Sequence, residues 1–233
     1  MGMLKISLPD GLLHEYASGI TVGEIVRNAY GKKSGAVAVL VNGEERDFSY
    51  VLEQDCDIEP ILGESEAGRY ILRHSCAHLL AQAVVEIYPE AQPTIGPPIE
   101  NGFYYDFKMD PVGDEDLKKI EKKMHEHVRA NHTLTREEHD NETLREMFAK
   151  NPFKIEIMND KIGMDVGSSA YRQGDFVDLC LGPHVPSTSY LRWFKLTGTS
   201  QAYWKGDNSN ESLVRIYGTV SYTHLRAHET VSD

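Results

Sequence analysis

From Arg69 to Tyr88 the sequence is apolar on nearly every side, and Pro89 ends the run. Leu72, Cys76, Leu79, Ala83 and Ile87 follow one another at helical spacing and form one stripe. His74 and His78 fall roughly opposite, among Ile71, Ala81 and Val85. A helix that is apolar all round belongs in an interior, so the chain has to wrap around this one. The two imidazoles enclosed with it then need polar partners.

A chain of 233 residues, 40% of them hydrophobic, has material for one or two packed cores. No apolar run reaches the length of a membrane span. The N-terminus lacks the basic-then-apolar pattern of a signal peptide, which makes the cytoplasm the expected compartment. Three cysteines, Cys56, Cys76 and Cys180, are too few for a disulfide scaffold and read as thiols or ligands. A net charge of −12 argues against a general nucleic-acid binder, although a local basic patch can serve on an acidic protein.

The expected fold class is α+β in two parts: residues 1–63, residues 64–219, and a probable non-native tail over 220–233. In the first part Lys5–Leu8 reads as a strand and Pro9-Asp10-Gly11 as a turn. Thr21 with Glu24 forms a capping box opening a helix over Val22–Tyr30. Ala36–Val41 is β-rich, Asn42-Gly43 is a hairpin signal, and Asp57–Ile61 is a last strand. That order suits a small β-grasp, ubiquitin-like domain. Gly63 to Gly68 is a polar, glycine-flanked hinge.

After the long helix, Gly96-Pro97-Pro98 begins a loop leading to an aromatic strand at Gly102–Asp106. Asp114 is placed to cap a helix whose buried stripe is Leu117, Ile120, Met124 and Val128. A shorter helix spans about Glu142–Lys150 and ends at Asn151-Pro152. Phe153–Ile157 alternates like a strand, with Lys154 and Glu156 on the outer face. Phe176–Leu179 and Ser212–Tyr217 are further strand candidates.

His74 and His78 are four apart on a helix and can address one point. Ser75 stands where a zinc protease would carry its glutamate, which sets that class aside. About a hundred residues later comes Asp178-Leu179-Cys180-Leu181-Gly182-Pro183-His184. Asp178 and Cys180 share a strand face, and Gly182-Pro183 turns the chain so that His184 can return beside Cys180. Taken singly, Cys180 is a buried thiol and His184 a turn histidine; the two motifs together are far more specific.

This pair of motifs resembles the editing site shared by threonyl- and alanyl-tRNA synthetases. Arg73–Leu80, Gly102–Asp106, Ala202–Asp207 and Arg215–Thr219 are similar to the threonyl branch, and residues 1–63 resemble its TGS domain. Leu181 and Lys205 replace arginines common in relatives, a departure that touches RNA contacts rather than the site. The resemblance implies hydrolysis of serine mischarged onto tRNA(Thr). One methyl separates serine from threonine, and a pocket gains only about 1–3 kcal/mol of discrimination from it. A second pocket that excludes threonine by that methyl supplies the rest.

By the same resemblance His74 and Lys154 stand near the attacking water and the ribose. His78, Asp178, Cys180 and His184 shape or polarise the pocket. Tyr104, Asp106, Gly182 and Pro183 are substrate-binding candidates. On the residues alone, Lys154 reads equally as a solvent-facing lysine, Tyr104 as aromatic core and Asp106 as a turn aspartate. His74, His78, Cys180 and His184 are also a tetrahedral zinc set, and alanyl-type editing domains use zinc there. Editing without a metal is the expectation for the threonyl branch. ATP, magnesium and the zinc of the synthetic site belong to a class II catalytic core, through which full-length members form homodimers; that core and an anticodon-binding domain are not expected here. The alternatives are a tRNA-binding module that is inactive alone and a zinc-dependent hydrolase of another substrate.

Overall fold

The computed structural model describes residues 2–31, 34–160 and 169–222. The chain divides into two compact units, Met1–Leu72 with Gly182–Pro186, and Arg73–Leu181 with Ser187–Ser221.

The first unit holds a five-stranded mixed sheet, a helix packed on it and the first turns of a second, longer helix. β1 (Met3–Ser7) pairs antiparallel with β2 (Leu13–Ala17). Helix α1 (Val22–Tyr30) follows, then β3 (Ala36–Val41), β4 (Glu44–Arg46) and β5 (Cys56–Leu62). The strand order is β2-β1-β5-β3-β4, and β1 runs parallel to β5. The α1 capping box forms as expected: the Glu24 N–H donates to the Thr21 hydroxyl oxygen, and the Thr21 N–H donates to the Glu24 carboxylate. Its Val22, Ile25 and Val26 face Leu4, Ile6, Val39 and Ile58 in one core. Asn42 and Gly43 both have positive φ, 50° and 82°, as a two-residue hairpin turn requires. Asn42 also accepts the Asp57 N–H through its side chain, tying the turn to β5.

Helix α2 (Glu66–Ile87) starts earlier than its apolar pattern, because Ser65 caps it by accepting the Gly68 N–H. From Arg73 onward it belongs to the second unit, and Cys76, Ala77, Leu79, Leu80, Ala81, Ala83 and Val84 are buried there as the sequence requires. The remaining elements are β6 (Gln92–Pro93), β7 (Pro98–Ile99), β8 (Gly102–Lys108), α3 (Asp114–Ala130), β9 (Leu134–Glu138), α4 (Asn141–Met147), α5 (Pro152–Asp160), β10 (Ser169–Gln173), β11 (Phe176–Leu179), β12 (Phe194–Tyr203) and β13 (Ser212–Val220). They make a sheet of order β12-β13-β8-β6, with β7 added on β8, and a three-stranded sheet of order β11-β10-β9. No helix of the described residues is long and apolar enough to cross a membrane. Val220 closes β13 opposite Phe194, and 223–233, most of the expected tail, lie outside the described residues.

Two expectations are corrected. The cap of α3 is Gly113, whose N–H donates to Asp116, and Asp114 is already inside the helix. Phe153–Ile157 is helix α5, not a strand. Asn151 is its cap, accepting the N–H groups of Phe153 and Lys154, and Pro152 takes the first helical position. Asn-Pro therefore starts a helix here, besides following α4. Phe153 and Ile157, four apart, pack with Trp204 and Leu213. Ile155 and Met158 pack instead with Leu144, Phe148, Ala170 and Leu179. Apolar residues that alternate along the sequence thus serve two different clusters around one helix.

Candidate active site

With Phe153 and Ile155 committed to those clusters, Lys154 points inward and is only 3% exposed. Its ammonium lies 2.5 Å from the carboxylate of Asp178 on β11, itself 2% exposed. Tyr105 of β8 joins them: its hydroxyl donates to Asp178 at 2.6 Å and accepts from Lys154 Nζ at 3.0 Å. The Leu179 N–H donates to the other Asp178 oxygen at 2.8 Å. Burying a carboxylate and an ammonium is costly, and this pairing with added hydrogen bonds is what makes it tolerable.

His74 and His78 meet edge to face, with ring centroids 5.2 Å apart, confirming that the four-residue spacing brings them together. His78 Nε2 lies 3.8 Å from Asp178 Oδ2. His74 Nε2 lies 3.4 Å from Cys180 Sγ. Cys180 is held by Ser169, whose hydroxyl donates to the Cys180 carbonyl at 2.5 Å and whose carbonyl accepts the Cys180 N–H at 3.2 Å. The ligand atoms of His74, His78 and Cys180 lie within 4.8 Å of one another, close enough for one metal ion. Two imidazoles and a thiol are a donor set that zinc accepts.

Burial governs the protonation states. Desolvation, with His78 adding to it and Asp178 opposing, pushes His74 down to about 3. Desolvation likewise brings His78 down to about 4, against the pull of Asp178. Both imidazoles are therefore neutral at pH 7, and the His78–Asp178 contact is not an ion pair. Burial alone would raise Asp178, but the Lys154 ammonium, His78 and the Tyr105 hydroxyl hold it below the usual carboxylate range. Burial and the Asp178 charge push the Tyr105 phenol well up, so it stays a hydrogen-bond donor. The site combines neutral imidazoles able to accept a proton with a buried cation.

Of the residues expected at the site, the second unit brings together His74, His78, Lys154, Asp178 and Cys180. Tyr104 and Asp106 stand on the opposite face of β8 from Tyr105. There Asp106 receives Arg215 in a two-pronged pair at 2.7 and 2.8 Å, and the guanidinium lies 3.9 Å over the Tyr104 ring. Gly182, Pro183 and His184 belong to the first unit, where the His184 N–H donates to buried Asp47 at 2.9 Å. Sequence reasoning missed Tyr105 and Ser169. Strand alternation from the apolar Phe103 and Phe107 was the available signal for Tyr105; Ser169 offered none.

Two stretches of the chain match known families. Residues 4–61 match the TGS domain, and 169–217 match the threonyl and alanyl tRNA synthetase second additional domain. The chain is 42% identical over 221 residues to a threonine–tRNA ligase of Symbiobacterium thermophilum, covering 93% of this chain and 34% of that protein. It is 47% identical over 212 residues to the Thermoplasma acidophilum enzyme, covering 91% and 31%. With that of Parvibaculum lavamentivorans it shares 44% over 240 residues, covering 99% and 36%. The chain spans about a third of the length of these curated relatives.

Proposed function

We propose, for a chain that belongs to the threonyl-tRNA synthetase family and carries its TGS and second additional domains, that the second unit hydrolyses the ester linking serine to the end of tRNA(Thr). The observation that carries this reading is the buried Lys154–Asp178–Tyr105 group set beside the neutral His74 and His78. Ester hydrolysis needs a positioned water, a proton acceptor and a donor for the developing oxyanion. His74 in its neutral form accepts the proton of the attacking water. Its low basicity matters less as negative charge develops beside it, because a nearby anion stabilises the imidazolium. Lys154 offers an ammonium that is already desolvated and oriented, so it costs little reorganisation when it meets the ribose or the oxyanion. Asp178 and Tyr105 hold that ammonium in place. His78 and Cys180 shape and polarise the same site. A pocket that closes on serine and excludes the threonine methyl provides the sieve. The partner is the acceptor end of tRNA(Thr) carrying serine, the compartment is the cytoplasm, and homodimer formation is a property of the full-length relatives.

The test is deacylation of seryl-tRNA(Thr) by this chain, with threonyl-tRNA(Thr) and His74→Ala as controls. Serine release that His74→Ala abolishes, with threonine spared, is the expected result. Absence of release at high protein concentration refutes self-sufficient hydrolysis and favours a tRNA-binding module.

A second reading rests on the closeness of His74, His78 and Cys180. Those three residues would hold zinc and leave its fourth position to a water that would ionise near neutral pH. Metal analysis of protein purified without added zinc separates the two readings. Stoichiometric zinc that is lost in Cys180→Ala favours the metal hydrolase, and its absence favours metal-free editing.

A further inference from the structure

The segment entering β7 is clamped against β8 next to Tyr105. Thr94, fully buried, donates both its N–H and its hydroxyl to the Asp106 carbonyl at 2.9 Å. The Asp106 N–H returns a bond to the Ile95 carbonyl at 2.9 Å. The next residue, Gly96, is thereby laid on the Tyr105 ring. A Cβ built on Gly96 would fall 2.1 Å from Cδ2 of that ring, 2.6 Å from Cε2 and 2.7 Å from Cγ. No side chain fits in that space while the ring stays where it is. Pro97 and Pro98 follow and restrict the backbone from yielding. The ring also stacks on Phe107, centroids 5.0 Å apart. The ring thus packs against both Phe107 and bare backbone, and its hydroxyl reaches both Lys154 and Asp178.

The geometry points to Gly96 as a positioning residue for the hydrolytic site: its missing side chain forms the slot that sets the Tyr105 hydroxyl between Lys154 and Asp178. The inference rests on the hydrolysis reading for its functional consequence, but not for its structural content. The three atoms nearest a Cβ at Gly96 all belong to the Tyr105 ring, so Gly96 acts through Tyr105. Any side chain at 96 must tilt the ring and pull the hydroxyl from the pair. Misplacement of an oriented group by about 1 Å can cost on the order of a hundredfold in rate.

The experiment combines Gly96→Ala, Tyr105→Phe, Tyr105→Ala and Gly96→Ala/Tyr105→Ala in the full chain. Proton NMR first locates the buried Tyr105 hydroxyl resonance by its loss in Tyr105→Phe. Gly96→Ala is expected to move or erase that resonance. In serine release, Gly96→Ala is expected to lower kcat by roughly tenfold to a hundredfold with KM nearly unchanged. Added to Tyr105→Ala, it is expected to cost nothing further, because the new methyl enters vacated space. An unmoved hydroxyl resonance overturns the inference, and so does a rate loss that adds fully on top of Tyr105→Ala. If the parent chain releases no serine, the hydrolysis reading fails while the resonance still decides the role of Gly96. If Gly96→Ala alone does not fold, a folded double variant supports the slot and an unfolded one overturns it.

Discussion

Replacing Lys154 by methionine keeps much of the side chain's apolar length and removes its charge. Asp178 would then lie 2% exposed with the Tyr105 hydroxyl and the Leu179 N–H as donors but no cation at 2.5 Å. Removing one partner of a buried ion pair typically costs ~3–5 kcal/mol, because the remaining charge stays desolvated. The pH dependence follows from Asp178. In the parent protein its folded pKa is depressed, so its contribution is complete above the unfolded value and is lost only as pH falls through the lower, folded value. Without the ammonium, burial dominates and raises the carboxyl instead. The deficit of Lys154→Met is therefore largest at neutral pH and shrinks on acidification, as Asp178 takes up a proton and becomes neutral. Both tryptophans, Trp193 and Trp204, belong to the second unit, so urea unfolding followed by their fluorescence reports on the unit that holds the site. Measurements at pH 7 and pH 5 on parent and variant test the reasoning. A loss well under ~1 kcal/mol at pH 7, as for an exposed pair, would refute it. A loss that grows toward pH 5 would refute the assigned cause.

Asn151→Ala removes the cap of α5 and should destabilise the second unit by about 1 kcal/mol in the same assay, with serine release reduced because Lys154 rides on that helix. His74 and His78 should show no titration between pH 5.5 and 8 in histidine NMR spectra, having been brought to about 3 and 4. Because the unfolded imidazoles take up protons near pH 6.5, these residues should lower stability as pH falls from about 6.5 toward 4, visible as a falling urea midpoint once the carboxylates are accounted for. Tyr105→Phe should slow serine release markedly, whereas Tyr104→Phe, on the other face of β8, should leave it within about twofold; equal effects would contradict the assignment of faces.

Much of this architecture is written in short-range patterns. Thr21 with Glu24, Asn42-Gly43 and the four-residue spacing of His74 and His78 act over distances the chain itself sets, and each forms in the structure as those patterns require. The apolar circumference of α2 likewise demanded a buried helix. Lys154 shows where such reading stops. Phe153-Lys154-Ile155-Glu156-Ile157 alternates and fits a strand as well as it fits a helix whose apolar residues serve two clusters. The choice depends on Trp204 and Leu213 on one side and Leu144 and Ala170 on the other, none of them neighbours in sequence. The placement of Tyr105 against Gly96, Lys154 and Asp178 depends on long-range packing in the same way. The sequence by itself determined the capped, turned and evenly periodic elements, the enclosed histidines and the motifs of the candidate site. Only the tertiary structure decided that Lys154 is buried and Tyr105 rather than Tyr104 joins it, because a charge enters an interior only where distant residues arrive to balance and hydrogen-bond it.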